Sequence, residues 1–334
     1  MRIGFIVVLT CMLALSTFIS LSTTKVEAAA NGGKVMSEKW RDDRTLELTI
    51  SSPSVEGTKK VLLLLPKSWS KTSDQKWPTL WLLHGGGGNQ VDWLKNTDVA
   101  SLTKNLDLIV VMPETSDCSA YSDWWNDGKL GKPAWETYLT KDVREILESG
   151  YKANENRAIA GLSMGGLGAL KLAANHPKMF QAAASFSGNV DILHRYNNSL
   201  TGPDYPGLGC ISKWKSINDW KRVWGDPQVP AQKEIWKRNN PYDQAEKLSQ
   251  LHYLYVSSGT GFGSPLKVGN QFDLIEQEVN RQAHGLVEKL NQLHIPVASH
   301  FYSGNHSWPY WKQELHKALP GILNALHVDG DHKQ

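Results

Sequence analysis

Ser163 stands in Gly161-Leu162-Ser163-Met164-Gly165, a Gly-x-Ser-x-Gly pattern with two further glycines at Gly166 and Gly168. The apolar run "NRAIAGLS" before it reads as a buried strand, and "MGGLGALKLAANHP" after it reads as a helix. A serine on such a strand-to-helix bend is held in a strained backbone with its hydroxyl exposed. The helix beyond it directs amide N–H groups and the positive end of its dipole at the same point. That context makes Ser163 a candidate nucleophile rather than a member of a glycine-rich packing turn.

A serine hydroxyl at its ordinary pKa needs a base, and the base needs an orienting acid. In this chain order the acid precedes the histidine. Of eleven histidines, His306 in "SGNHSWPYW" lies in a loop directly after the last strand pattern, where a base belongs. The acid is sought after the strand "LYVSSG". Asp273, Glu276 and Glu278 all open the long helical pattern "FDLIEQEVNRQAHGLVEKLNQLHI", and periodicity alone does not choose among them. The oxyanion formed on attack needs two backbone donors. One is the N–H of Met164, next to the nucleophile, and the other comes from the "HGGGG" loop after the strand "TLWLL". That glycine run lacks the Gly-Lys-Ser/Thr of a phosphate loop and does not fit the dinucleotide fingerprint. There is no His-Glu-x-x-His or paired Cys/His spacing, so no metal or cofactor is implied.

The elements that must hold these groups alternate. "TLELTISS", "KKVLLLLP", "TLWLLHGGGG", "LDLIVVMPE", "QAAASFSG" and "LHYLYVSSG" read as strands, most of them continuous apolar runs. "AWETYLTKDVREILESG" and "WPYWKQELHKALPGILNALHV" read as helices. This pattern predicts an α/β fold with a mostly parallel central sheet flanked by helices, in one domain spanning residues 45–328. Residues 29–44 read as a polar lead-in and 329–334 as a polar tail. Residues 189–247 break the alternation and carry Trp214, Trp220, Trp224 and Trp236, which predicts an insertion capping one end of the sheet.

The 334 residues carry a formal net charge of +3, with no basic stripe, which argues against a nucleic-acid partner. The first 28 residues have a basic start, an apolar stretch and a small-residue site, the pattern of a secretory signal peptide. Its removal leaves no stable membrane span and predicts a secreted, extracellular protein. Cys118 and Cys210 then remain and could pair in an oxidising compartment.

With these segments in place the chain resembles the esterase D-like family of α/β hydrolases. The resemblance covers roughly residues 59–319 through "LLHGGGG", "VVMPE", "YSDWW", "WETYLTKD", "GLSMGG", "AANHPKMFQAAASFSG", "VWGDP", "RNNPYDQ" and "HSWPYWKQEL". "YSDWW", "WETYLT" and "HSWPYW" lean towards the secreted esterase and mycolyltransferase-like branch. The resemblance implies an α/β-hydrolase fold, a triad of Ser163, His306 and Glu276 with Glu278 as fallback acid, and oxyanion amides from Gly86 and Met164. It also implies a small-molecule, lipid or acylated-sugar ester as substrate. One position departs from the branch: His84 stands where mycolyltransferases have an aspartate. The expected activity is hydrolysis of carboxylic esters through an acyl-serine. The alternatives are acyl transfer onto envelope lipids or sugars, and a catalytically idle surface-binding protein.

Overall fold

The computed structural model describes residues 32–193, 221–267 and 272–329. The expected signal peptide, much of the expected tail, Cys210, Trp214 and Trp220 lie outside the described residues. Among the described residues nine strands form one sheet, in the order β1-β2-β3-β5-β4-β6-β7-β8-β9. They are β1 Lys34–Trp40, β2 Thr45–Ser51, β3 Thr58–Leu64, β4 Trp77–Leu83, β5 Ile109–Pro113, β6 Ala153–Leu162, β7 Ala182–Phe186, β8 Tyr253–Gly259 and β9 Ala298–Tyr302. The β1-β2-β3-β5 edge is antiparallel. From β5 onward every pairing is parallel.

Five helices bear on the site: α1 Asp92–Asn96, α2 Arg144–Gly150, α3 Met164–Asn175, α4 Leu274–Gln292 and α5 Trp308–Ala325. The strands read as continuous apolar runs because both sheet faces are covered. Val61, Leu63, Trp81, Leu83, Val111 and Ile159 point into one core with α2, α3 and α4. Leu62, Leu64, Leu80, Leu82, Val110 and Ala160 point into the other with α1 and α5. Burying one such Leu or Val contributes about 1.5–3 kcal/mol, so the two cores fix the strand register that the site depends on.

β1 falls in the segment expected to be a polar lead-in. It is an edge strand with only Val35 buried, joined to β2 by backbone hydrogen bonds, so it needs no apolar pattern. The helical run after Ala134 also differs from a plain α-helix, being π-wound from Tyr138 to Val143 before α2 begins. The described part of residues 189–247, where a capping insertion was expected, contains a helix at Pro230–Asn239. There Trp224 and Trp236 meet edge to face, with ring centroids 5.0 Å apart, and pack against Leu167 of α3.

The strand order creates the site. The chain leaves β4 towards β5 on one side and leaves β6 towards β7 on the other, while β4 and β6 are neighbours. Divergent connections open a crevice at the carboxyl ends of those two strands, where ligands bind in open α/β sheets. The "HGGGG" loop follows β4 and Ser163 follows β6.

Candidate active site

Ser163 has φ 52° and ψ −120°, a sparsely populated backbone region for a residue with a side chain. Its N–H donates to Phe186 O at 2.9 Å, and its carbonyl accepts the N–H groups of Gly166 and Leu167 at 2.9 and 3.1 Å. The flanking glycines are steric requirements. A Cβ on Gly161 would lie 2.2 Å from Gly165 O, and one on Gly165 would lie 2.4 Å from Leu83 O. Helix α3 therefore starts almost in contact with β4 and β6. Met164 is its first residue, so the Met164 N–H has no intrahelical acceptor.

The glycine loop after β4 lies against the same bend. A Cβ on Gly85 would meet Leu162 Cδ1 at 2.7 Å and Ser163 Cβ at 3.5 Å. Gly88 N–H donates to Gly85 O and Gly87 N–H to Asp117 O, both at 3.1 Å. Gly86 is exposed at the tip.

Three acids were open from the sequence, and the structure gives each a different place. Asp273 caps α4: its Oδ1 accepts the N–H groups of Ile275 and Glu276 at 3.0 and 3.1 Å. Its Oδ2 accepts the backbone N–H of His306 at 3.0 Å, so the cap also fixes the histidine loop. Glu278 faces away, paired with Arg281 at 3.1 Å and within 3.3 Å of the Gln282 amide. Glu276 is fully buried, and its Oε2 accepts from His306 Nδ1 at 2.6 Å. Its Oε1 accepts from Ser187 Oγ at 2.7 Å and from the Gly259 N–H. The His306 side chain is 13% exposed, so the ring is screened but reachable.

Hydrogen bonds thus lead from Ser163 to His306 across the strand ends. Ser163 N–H reaches Phe186 O, the next residue Ser187 donates to Glu276, and Glu276 holds His306. Two members of this set were not read from the sequence. Ser187 is a left-handed residue (φ 49°) just past β7. Trp311 donates from Nε1 to Ser187 Oγ at 3.0 Å and sets its ring edge-to-face with His306, centroids 4.9 Å apart. A serine directly before a glycine at a parallel strand's carboxyl end, as in "SFSG", was the available signal for the first.

His84 is buried behind the glycine loop. Its Nδ1 contacts Gly85 O at 2.7 Å, and its Nε2 accepts the Thr115 N–H at 3.1 Å. Burial pushes its pKa below the usual histidine value, more than the Gly85 carbonyl and the charges of Asp92, Glu114 and Asp117 raise it. Cys118 is disulfide-bonded to a partner outside the described residues. Among the described residues no group of three or more His, Cys, Asp or Glu side chains is arranged to hold a metal ion. No helix among them is long and apolar enough to cross a membrane.

Residues 52–322 match the model of the Esterase family, described as "Putative esterase". The chain is 31% identical over 263 residues to the diacylglycerol acyltransferase/mycolyltransferase Ag85B of Mycobacterium leprae, covering 75% of this chain and 76% of that protein. Among solved structures, an S-formylglutathione hydrolase from Agrobacterium tumefaciens superposes with TM-score 0.65 at 15% identity, covering 87% of this chain and 99% of that one. MPT51 (FbpC1) of Mycobacterium tuberculosis superposes with TM-score 0.65 at 23% identity, covering 84% and 97%. These likenesses establish the α/β-hydrolase fold for the sheet and helices described above.

Proposed function

We propose that this chain, which belongs to the Esterase family, hydrolyses carboxylic esters through a covalent intermediate on Ser163, with His306 as base and Glu276 as its orienting acid. The observation that carries the assignment is the buried Glu276–His306 hydrogen bond at the end of the sheet that also bears the strained Ser163. Since Glu276 accepts from Nδ1, the other ring nitrogen, Nε2, keeps its lone pair for the serine proton.

Ser163 Oγ attacks the ester carbonyl carbon as its proton passes to His306 Nε2. The carbonyl π electrons move onto oxygen, and the N–H groups of Gly86 and Met164 receive that oxyanion, each worth about 3 kcal/mol in the transition state. Collapse breaks the bond to the alcohol, which leaves with the proton from His306. Water then attacks the acyl-serine by the same route, releasing the acid and restoring Ser163. Throughout, the buried carboxylate of Glu276 stabilises the imidazolium.

The substrate is a small-molecule ester, and an acyl group carried on a lipid or a sugar suits the relatives' chemistry. The first 28 residues carry the pattern of a secretory signal, which supports a site working outside the cell. A second reading is supported by the likeness to an acyltransferase: an alcohol or sugar hydroxyl replaces water in the second step. A series of p-nitrophenyl esters of graded chain length, offered to the protein lacking residues 1–28, tests the first reading. Release of p-nitrophenol by the native protein and its loss in Ser163→Ala are expected; equal rates in both would refute it. Products analysed with and without an added alcohol separate hydrolysis from transfer.

A further inference from the structure

We propose that His84 is the positioning residue of the oxyanion hole, holding as a neutral imidazole the peptide whose N–H receives the developing charge. The inference rests on the esterase assignment above. Its basis is a fixed tautomer. Gly85 O can only accept, so His84 Nδ1 carries the proton and donates at 2.7 Å. Thr115 N–H can only donate, so His84 Nε2 is bare and accepts at 3.1 Å. Both ring nitrogens are committed, and the ring is 1% exposed.

The bond to Gly85 O matters because that carbonyl and the Gly86 N–H belong to one planar peptide unit. In a trans peptide the C=O and N–H vectors oppose each other. Whatever pins the oxygen sets the direction of the N–H. His84 pins it from the buried side, helped by Gly88 N–H at 3.1 Å, and so turns the Gly86 N–H outward. A glycine-glycine peptide without this anchor is free to rotate, since neither residue has a Cβ to restrict it.

The same ring reaches the side chain of the residue that carries the second donor. Thr115 Oγ1 lies 3.1 Å from His84 Nε2 and 2.9 Å from Ser119 Oγ. Ser119 Oγ in turn contacts Met164 Sδ at 3.9 Å and accepts the Tyr121 N–H at 3.2 Å. Tyr121 returns to the start, its hydroxyl donating to His84 O at 2.8 Å. A buried polar ring thus links the loop after β4, the loop after β5 and the first residue of α3. It fixes the spacing between the two oxyanion donors from behind, where no substrate atom comes. A charged His84 would break it, because a proton on Nε2 would oppose the Thr115 N–H.

The test compares p-nitrophenyl benzoate with its thionobenzoate, whose sulfur is a poor hydrogen-bond acceptor and draws little from the donors. For His84→Ala we expect kcat on the ester to fall about 10- to 100-fold with KM within about threefold. The ester-to-thionoester rate ratio should fall by about the same factor, which a general loss of folded protein would not produce. His84→Asn, whose amide can still donate to Gly85 O, should recover most of the ratio. Should His84→Ala fail to fold, Thr115→Val and Ser119→Ala serve, each with an expected ratio change of about three- to tenfold. A folded His84→Ala protein with the native ratio overturns the inference, as do Thr115→Val and Ser119→Ala that both keep it. A native protein that hydrolyses neither substrate overturns the esterase assignment itself, and the inference with it.

Discussion

Lys171 lies on α3, eight residues after Ser163, and its side chain is wholly buried. Its ammonium donates to Tyr121 O at 2.6 Å, to Ser122 Oγ at 2.9 Å and to Glu136 Oε2 at 2.7 Å. Burial works to raise the Glu136 pKa, but the Lys171 charge and the hydrogen bonds from His176 and Lys171 outweigh it and bring it from 4.5 to about 2. A shift of that size corresponds to about 3 kcal/mol of folded-state stabilisation. Replacing Lys171 by Met removes most of it and leaves a buried carboxylate facing His176 and the Asn175 amide, with Tyr121 O also losing a donor at about 1 kcal/mol. The expected cost is about 3–5 kcal/mol, the usual result of breaking one side of a buried pair. Urea unfolding at pH 7 measures it. The pH dependence gives a second check. A depressed carboxylate pKa contributes stability above 4.5 that is lost as pH falls towards 2, so the native protein weakens across that window. In Lys171→Met this limb should shrink, with His176 alone left to hold the Glu136 pKa down. The double variant Lys171→Met with Glu136→Gln should regain more than half the loss, because no buried charge is then unpaired. A single variant within about 1 kcal/mol of the native protein, or one whose acid limb is as steep as the native protein's, would refute the reasoning.

Glu276→Gln keeps the shape but not the charge facing His306 Nδ1, and steady-state kinetics should show kcat down by about 10³- to 10⁴-fold. Asp273→Ala removes the cap of α4 and the anchor of the His306 backbone. It should cost about 1 kcal/mol in thermal unfolding and lower kcat, whereas Asp273→Asn should retain most of both. Gly165→Ala puts a methyl 2.4 Å from Leu83 O, so α3 must shift off β4; about 1–3 kcal/mol of stability and most ester hydrolysis should be lost together. His84 has its pKa lowered by burial, so between its folded value and 6.5 the unfolded chain takes up a proton that the folded chain refuses. Stability should therefore decline as pH falls below 6.5, by at most about 1.4 kcal/mol per pH unit. Urea titrations of His84→Asn should show a shallower decline.

The fold class was legible because strands covered on both faces must be apolar throughout, and "KKVLLLLP" or "LIVVMPE" leave little else to be. β1 was not, because an edge strand is specified by its partner's free backbone rather than by its own side chains. The positions of Ser163 and His306 could be read from local context, a bend between glycines and a loop after the last strand. The acid could not. Asp273, Glu276 and Glu278 share the start of one helix, and only the loops folding back onto it decide that one caps, one meets the imidazole and one pairs with arginine. The partners of Ser187 and His84 stayed hidden for the same reason. Glu276 and Thr115 lie 89 and 31 residues away, and local sequence does not say which distant residue each will meet.

The crevice owes its existence to the point where neighbouring strands send their connections in opposite directions, an arrangement of backbone that loss of the Ser163 hydroxyl leaves in place. A protein silenced by Ser163→Ala should therefore remain an intact receptor. Soaked in extracts from its natural surroundings, it would retain uncleaved whatever ester the native protein destroys, and so turn an unknown substrate into a molecule that can be eluted and weighed.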